Sequence, residues 1–308
     1  MFIMMKLYAI AVCLIFSCQL YAAPAAKNLS RSTLETAHYK IVHDTDNSEV
    51  AEIANLLEFA YSHFNNVFTR NGFELLIPSE KLTWYCFTDS QSFSDHALAA
   101  DGMNLYWLTS YYSAKTNSVC IVKPGNLQNW KKDNTVSPES AVAGVYIMPS
   151  VDSSGNELTM ILHEAAHQLA FNTGLQKQKV MYPVWFSEGL AVNFENSMPN
   201  SVAHIRLQRV CRMYNENRLL PLNEFISITR MPENSSARKD IYAQSSIFFK
   251  FLSERHPDSL RNYMSAVYKL RPGWRSPAAL HTEFISAFGP VAQINLSWQN
   301  YLYEISSR

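Results

Sequence analysis

The stretch from Leu158 to Ala170 constrains the fold of this chain more than any other, because it places H-E-x-x-H inside an apolar run with helical spacing. At about 100° per residue, His163 and His167 lie one turn apart on the same helix face and can reach one metal ion. Glu164 is rotated away from that line, so its carboxylate can touch a water on the metal without being a ligand. Two nitrogen ligands, an open position and a nearby base are typical of a hydrolytic zinc site.

A partly buried helix with two satisfied histidines and a solvated glutamate is the alternative interpretation, because short motifs also arise by chance. The flanking residues favour the metal site. Leu162, Ala165 and Leu169 belong to an apolar face that predicts a helix wrapped by protein on most sides. Two histidines and a carboxylate inside such a helix are costly unless something satisfies them, and a zinc ion would do so.

Glu188 is the candidate for the third protein ligand that a catalytic zinc requires. It lies in residues 183–195, which the apolar spacing predicts to be a second helix with Pro183 at or just before its first turn. The segment after His167 is long enough for a loop and an antiparallel return that brings the second helix beside the first. The alternative is an exposed carboxylate in a first helical turn, which the helix dipole favours.

H-E-x-x-H followed by W-x-x-E-G-x-A resembles the gluzincin zinc metallopeptidases, and the two segments look like those of the exported peptidase-MA-like proteins of bacteria. The resemblance covers residues 158–195. It implies that His163, His167 and Glu188 are zinc ligands and that Glu164 is the general base. The G-x-M-E-N motif of gluzincin aminopeptidases has no equivalent here, which favours an endopeptidase or a narrow processing enzyme.

The resemblance also implies a phenol or imidazole that donates to the oxyanion from the side opposite the base. Tyr242 is the candidate and His204 a weaker one, although a chain with 16 tyrosines equally offers Tyr242 as a packing residue. Gluzincins further place an edge strand beside the zinc, to which an extended peptide can add. Residues 118–122 are the candidate for that strand, with an ordinary inner strand as the alternative.

The order of predicted elements indicates an α+β fold, and the resemblance implies that it is zincin-like. Residues 26–196 are expected to form an N-terminal mixed sheet with helices and the central zinc helix, and residues 197–308 a helical C-terminal part of the same catalytic unit. Strands are predicted at 38–43, 81–88 and 141–149, a hairpin over 104–123, a polar loop or lid over 124–138, and helices at 48–70 (capped by Ser48), 90–98, 158–170, 183–195, 202–214, 240–255, 260–270, 276–288 and 291–305.

Charge and composition narrow the expected partners. The chain of 308 residues is 47% hydrophobic and has a formal net charge of zero, so there is no electrostatic case for nucleic acid or for an anionic membrane surface. A peptide or protein substrate is expected instead. The arginines of the 202–214 helix are interpreted as a solvated face; they are Arg206, Arg209 and Arg212.

Residues 1–25 predict a secretory signal peptide, with Lys6, an apolar run and then small residues before cleavage after Ala22 or Ala25. Lipoprotein processing at Cys18 is the alternative, which bulky Phe16 disfavours. No other segment is expected to cross a membrane. The mature protein is therefore expected in the periplasm or outside the cell.

Three cysteines remain after export. Cys86 and Cys120 lie in strand-like runs and are candidates for a disulfide in an oxidising compartment, whereas Cys211 is expected to be a buried free thiol.

These predictions converge on an exported zinc metallopeptidase, in which a zinc-bound water attacks a peptide carbonyl with Glu164 as general base and Zn²⁺ as the cofactor. A catalytically inactive, peptidase-like binding module of the envelope is the alternative. The complete set of motif residues argues against that module, since a degenerate member would be expected to lose one. A helical scaffold with a chance motif is the third possibility.

Overall fold

The computed structural model describes residues 31–106, 108–122, 147–149, 157–197, 203–232 and 234–307. The predicted signal peptide, with Cys18, and the predicted loop over 124–138 lie outside these residues. Within them the chain forms a mixed sheet, with two helices between its strands, and then a series of helices, so the predicted α+β class is confirmed.

A single mixed sheet contains the described strands, which are β1 (Ser32–Glu35), β2 (Tyr39–His43), β3 (Leu82–Phe87), β4 (Ser110–Ser113), β5 (Ser118–Val122) and β6 (Ile147–Pro149). Their order is β1-β2-β3-β5-β4-β6. The β2–β3 and β3–β5 pairs are parallel, whereas β1–β2, β4–β5 and β4–β6 are antiparallel. The predicted hairpin is present as β4 and β5; β1 was not predicted.

Side chains alternate between the two faces of this sheet, so each face covers its own core. Ile41, Trp84 and Ile121 point into the larger core, which the long helices complete. Phe87 and Tyr111 belong to a smaller core on the opposite face. Helix 157–172, which carries the predicted metal ligands His163 and His167, packs on the larger-core face.

Two predictions about β5 and its neighbours are wrong in the structure. β5 pairs with β3 on one side and β4 on the other, so it is an inner strand and not the edge strand. Cys86 is paired with Ile121, whereas Cys120 is paired with Tyr85. The two thiols therefore point to opposite faces of the sheet, where no disulfide can join them, and both are free.

The described helices are α1 (Asn47–Arg70), α2 (Ser90–Asp101), α3 (Glu157–Asn172), α4 (Val184–Asn196), α5 (Ala203–Asn215), α6 (Leu222–Phe225), α7 (Ser235–Arg255), α8 (Pro257–Tyr268), α9 (Pro277–Phe288) and α10 (Val291–Ser306). Asp46, and not Ser48, caps α1, because its side chain accepts from the Ser48 N–H. Helix α7 begins earlier than predicted, since Asn234 caps it. None of the described helices has the length and apolar character needed to cross a membrane.

Helices α1 and α3 pack together on the larger-core face, α4 packs against α3, and α7 packs against α4. The buried residues of this core extend from Tyr39 in β2 to Leu302 in α10. The two predicted zinc helices, α3 and α4, are thus held between the sheet and the C-terminal helices.

Candidate metal centre

A buried amide on helix α3 links this helix to the sheet. The Gln168 Nε2 donates to the Thr83 carbonyl oxygen at 3.1 Å and to the Asn117 carbonyl oxygen at 3.2 Å, and the Trp84 indole Nε1 donates to Gln168 Oε1 at 2.7 Å. Gln168 is fully buried and directly follows His167. These bonds fix which face of α3 meets the sheet, so the rotation of the neighbouring histidines about the helix axis is fixed too.

Helix α4 is buried on nearly all sides. Its N-cap residue is Pro183, which has an extended backbone conformation. The Val184 N–H donates to the Ile228 carbonyl oxygen at 2.7 Å, which satisfies a donor of the first turn. A Cβ at Gly189 would lie 2.6 Å from the Phe249 Cβ and 2.8 Å from the Ser245 carbonyl oxygen. Glycine at this position is what lets α7 approach α4 so closely.

The three predicted metal ligands lie together. His163, His167 and Glu188 are all buried, and one ligand atom from each lies within 4.8 Å of the others. The separations are 3.1 Å between the two Nε2 atoms, 3.3 Å from His163 Nε2 to Glu188 Oε2, and 3.8 Å from His167 Nε2 to Glu188 Oε1. Ligands about 2.1 Å from a tetrahedral zinc are about 3.4 Å apart, so the cluster has the size that a metal ion needs.

Glu188 is only 2% exposed, so the interpretation of it as a solvated carboxylate in a first helical turn is wrong. Its Oε2 makes no hydrogen bond to any described residue. A buried carboxylate oxygen of this kind is costly unless a cation meets it. The group formed by His163, His167 and Glu188 could therefore hold a metal ion.

Glu164 follows His163 on α3, and its carboxylate contacts β4. The Ser110 hydroxyl donates to Glu164 Oε1 at 2.8 Å, and within the described part of the chain Oε2 has no hydrogen-bond partner. Burial raises the pKa of Glu164 to about 8, against the lowering effects of a charged His163 and of the Ser110 hydrogen bond. One carboxylate oxygen is thus anchored, and the other is left to exchange a proton.

The two imidazoles differ in their electrostatic surroundings. Burial alone would lower the pKa of His163, but the adjacent carboxylates of Glu188 and Glu195, together with the charge of Glu164, raise it to about 10. For His167, burial and the charge of His163 hold the pKa well below its usual value. In the absence of a cation, His163 is therefore the histidine that carries a proton.

Glu195 and Arg206 belong to the site and were missed from the sequence. Glu195 Oε2 lies 3.4 Å from His163 Nδ1, and Glu195 Oε1 accepts from Arg206 Nη1 at 2.6 Å. Arg206 is 3% exposed, so its assignment to a solvated face is wrong. Two signals were available: Glu195 lies about two helical turns after Glu188, and Arg206 shares a helix face with the apolar Val210.

Tyr242 projects from α7 into the site. Its ring centroid is 6.1 Å from that of His163, and its side chain forms a hydrogen bond with Glu188. Burial, the charges of Glu188 and Glu164 and this hydrogen bond raise the pKa of Tyr242 well above 10, so the phenol stays a proton donor. His204, the weaker candidate, is exposed on α5.

Residues 157–272 match the model of a family described as "Protein of unknown function (DUF1570)". No curated protein matches the chain. The matched segment begins at the first residue of α3 and ends shortly after α8. It contains His163, Glu164, His167, Glu188 and Tyr242, together with the pair that was missed, Glu195 and Arg206.

Proposed function

We propose that this protein is an exported zinc-dependent metallopeptidase of the gluzincin type with a zincin-like fold. The observation that carries the proposal is the buried group formed by His163, His167 and Glu188, with the Glu164 carboxylate beside it on the same helix. Zinc is the proposed cation because two imidazole nitrogens and one carboxylate are a donor set that suits it, whereas magnesium and calcium prefer oxygen ligands.

The ion would supply a Lewis acid for the scissile carbonyl and a water with a pKa of about 7. Glu164 Oε2 takes the proton of the attacking water and later passes it to the leaving amine. The Ser110 hydroxyl holds Oε1 throughout, so the carboxylate keeps its direction while its charge changes. Neither step moves a metal ligand.

Tyr242 is the proposed donor to the oxyanion of the tetrahedral intermediate. Its raised pKa keeps the proton on the phenol, which a donor requires. The same hydroxyl bonds to Glu188 in this structure, so it exchanges that partner for the substrate oxygen when the substrate binds.

An extended peptide is the proposed form of the substrate. Because β5 is an inner strand, β6 is the strand with which this peptide is proposed to pair. Among the described strands β6 lies outermost on the side of β4, and β4 carries Ser110, the partner of the general base. A peptide that pairs with the outer side of β6 gains main-chain hydrogen bonds without any requirement on its sequence. Endopeptidase action is the mode that fits such binding.

The test is hydrolysis of a mixed library of internally quenched peptides by the purified, zinc-loaded protein, compared with Glu164→Gln. We expect wild-type protein to cleave and Glu164→Gln to lose activity by about 10²–10⁴-fold, because the amide cannot take the proton. Glu224→Gln is the matched control: it makes the same substitution at an exposed position on α6 and should retain wild-type activity.

Elemental analysis of the same samples separates the alternatives. Zinc in both wild type and Glu164→Gln, with cleavage by wild type alone, supports the peptidase. Zinc without cleavage by either protein would favour the binding module of the envelope. Full activity in Glu164→Gln would overturn the assignment of the base.

A further inference from the structure

Arg206 lies on α5, whereas the predicted ligands lie on α3 and α4. Its guanidinium group nevertheless reaches the metal centre, where it contacts Glu195. Its Nη1 donates to Glu195 Oε1 at 2.6 Å and to Asn196 Oδ1 at 3.2 Å, so one guanidinium nitrogen binds two consecutive residues at the end of α4. Arginine and glutamate are 3% and 2% exposed. An ion pair withdrawn so far from solvent needs good geometry to offset its desolvation, and breaking it leaves a buried charge alone.

The other oxygen of the same carboxylate meets a ligand. Glu195 Oε2 lies 3.4 Å from His163 Nδ1, an ion-pair contact that is not a hydrogen bond in this structure, while His163 Nε2 faces Glu188 and His167. A histidine can offer its Nε2 lone pair to a metal only in the tautomer that carries its proton on Nδ1, and a carboxylate that accepts from Nδ1–H selects that tautomer and fixes the ring orientation.

We propose that Arg206 is a positioning residue of the metal centre, which acts through Glu195 on His163. Arg206 holds Oε1 and thereby directs Oε2 at Nδ1, so that Nε2 of His163 is presented to the ion. This inference rests on the proposed function, because it concerns how tightly that site binds zinc. The surroundings of His167 differ: its Nδ1 has no hydrogen-bond partner in the described ranges, and Glu188, the carboxylate that lies near this ring, faces Nε2 instead.

The test measures the zinc dissociation constant by competition with a chromophoric chelator, for wild type, Arg206→Met, Glu195→Gln and the double variant. We expect each single variant to bind zinc about 10–100-fold more weakly. The double variant should bind about as weakly as either single one, because the two residues form one path to His163. The visible spectrum of the cobalt-loaded protein should change in both single variants, since the ring orientation is no longer fixed.

Arg209→Met is the matched control. Arg209 lies on the same helix and pairs with Asp240 at 2.7 Å, so the substitution removes an ion pair from α5 without touching Glu195. Its zinc affinity should stay within about twofold of wild type, the usual limit for independent sites. Thermal unfolding of every variant in excess chelator reports the stability of the metal-free fold separately.

Wild-type zinc affinity in a folded Arg206→Met protein would overturn this inference and leave the proposed function standing, as would fully additive effects in the double variant. Absence of zinc binding by wild type would overturn both. Should Arg206→Met fail to fold, Arg206→Lys and Glu195→Gln carry the test. Lysine can renew the single contact to Oε1 and should restore part of the affinity, whereas unchanged affinity in Glu195→Gln would refute the path.

Discussion

The helical side and the sheet side of the metal centre hold their polar groups by different means. On the helical side, Glu195 and Tyr242 contact the proposed ligands, and Arg206 backs Glu195 with a full charge. On the sheet side, Glu164 accepts from the neutral hydroxyl of Ser110. Both sides are equally withdrawn from solvent, so the contrast lies in the chemistry of the partners and not in burial.

This contrast suits the two proposed roles. A ligand performs best when its orientation never changes, and charge-assisted contacts fix orientation strongly. A general base has to gain and lose a proton in each cycle, and a charged partner would favour one of its two states. A neutral donor at one oxygen holds the Glu164 carboxylate in place and leaves its other oxygen able to gain and lose a proton.

Removal of the metal should give the largest change in stability. It tests whether the ion is held without a contribution from Glu164 on the sheet side. At a zinc concentration about 1,000 times the dissociation constant, binding contributes about 4 kcal/mol. That corresponds to a loss of about 8–16 °C in the melting temperature when a chelator is added. Glu164→Gln should show the same drop, whereas Glu188→Ala should show little, because it no longer retains the ion.

Differential scanning calorimetry with and without chelator makes this measurement. An equal loss of zinc stabilisation in Glu164→Gln and Glu188→Ala would break the comparison, because the base would then also be a ligand. Loss in neither variant would exclude Glu188 from the metal centre.

Gly189→Ala should give the next largest effect and tests how the helical side is assembled. At an open helix position this substitution stabilises a protein by about 1 kcal/mol. Here the added Cβ would lie 2.6 Å from the Phe249 Cβ and 2.8 Å from the Ser245 carbonyl oxygen, so α4 and α7 must separate. We expect the free energy of unfolding to fall by about 1–3 kcal/mol and zinc to bind more weakly.

Chemical denaturation in excess chelator measures how Gly189→Ala changes the free energy of unfolding of the metal-free protein. An increase in stability would contradict the close approach of the two helices. A decrease in stability with unchanged zinc affinity would mean that α7 supports the fold but not the ligands.

Much of the ligand set follows from short-range rules. His163, Glu164 and His167 share one helix, so the period of 3.6 residues places them without any knowledge of the rest of the molecule. Glu188 required the meeting of two helices, which a motif can indicate but local spacing cannot. Gly189 belongs to the same motif as Glu188, but the need for glycine there follows from the close approach of α7, which the sequence does not show.

What the sequence did not predict depends on long-range contacts. Arg206 was assigned to solvent because charged residues usually are, and its burial follows from the approach of α5 to the end of α4. Cys86 and Cys120 both lie in strands, but their separation across the sheet is set by the β3–β5 register, which no local pattern fixes. The inner position of β5 likewise results from its pairing with β3 on one side and β4 on the other.

Ser110→Ala should give the smallest of these effects, and it tests the sheet side alone. Loss of one hydrogen bond to a carboxylate should lower kcat about tenfold, with zinc content and KM nearly unchanged. The Ser110 hydrogen bond lowers the pKa of Glu164, so its removal should shift the acidic limb of the kcat profile to higher pH. Ser118→Ala is the control, because that buried hydroxyl lies 2.7 Å from the Thr116 hydroxyl instead. Wild-type kcat in Ser110→Ala would mean that packing alone directs Glu164, and the neutral hydroxyl would then have no part in the contrast between the two sides.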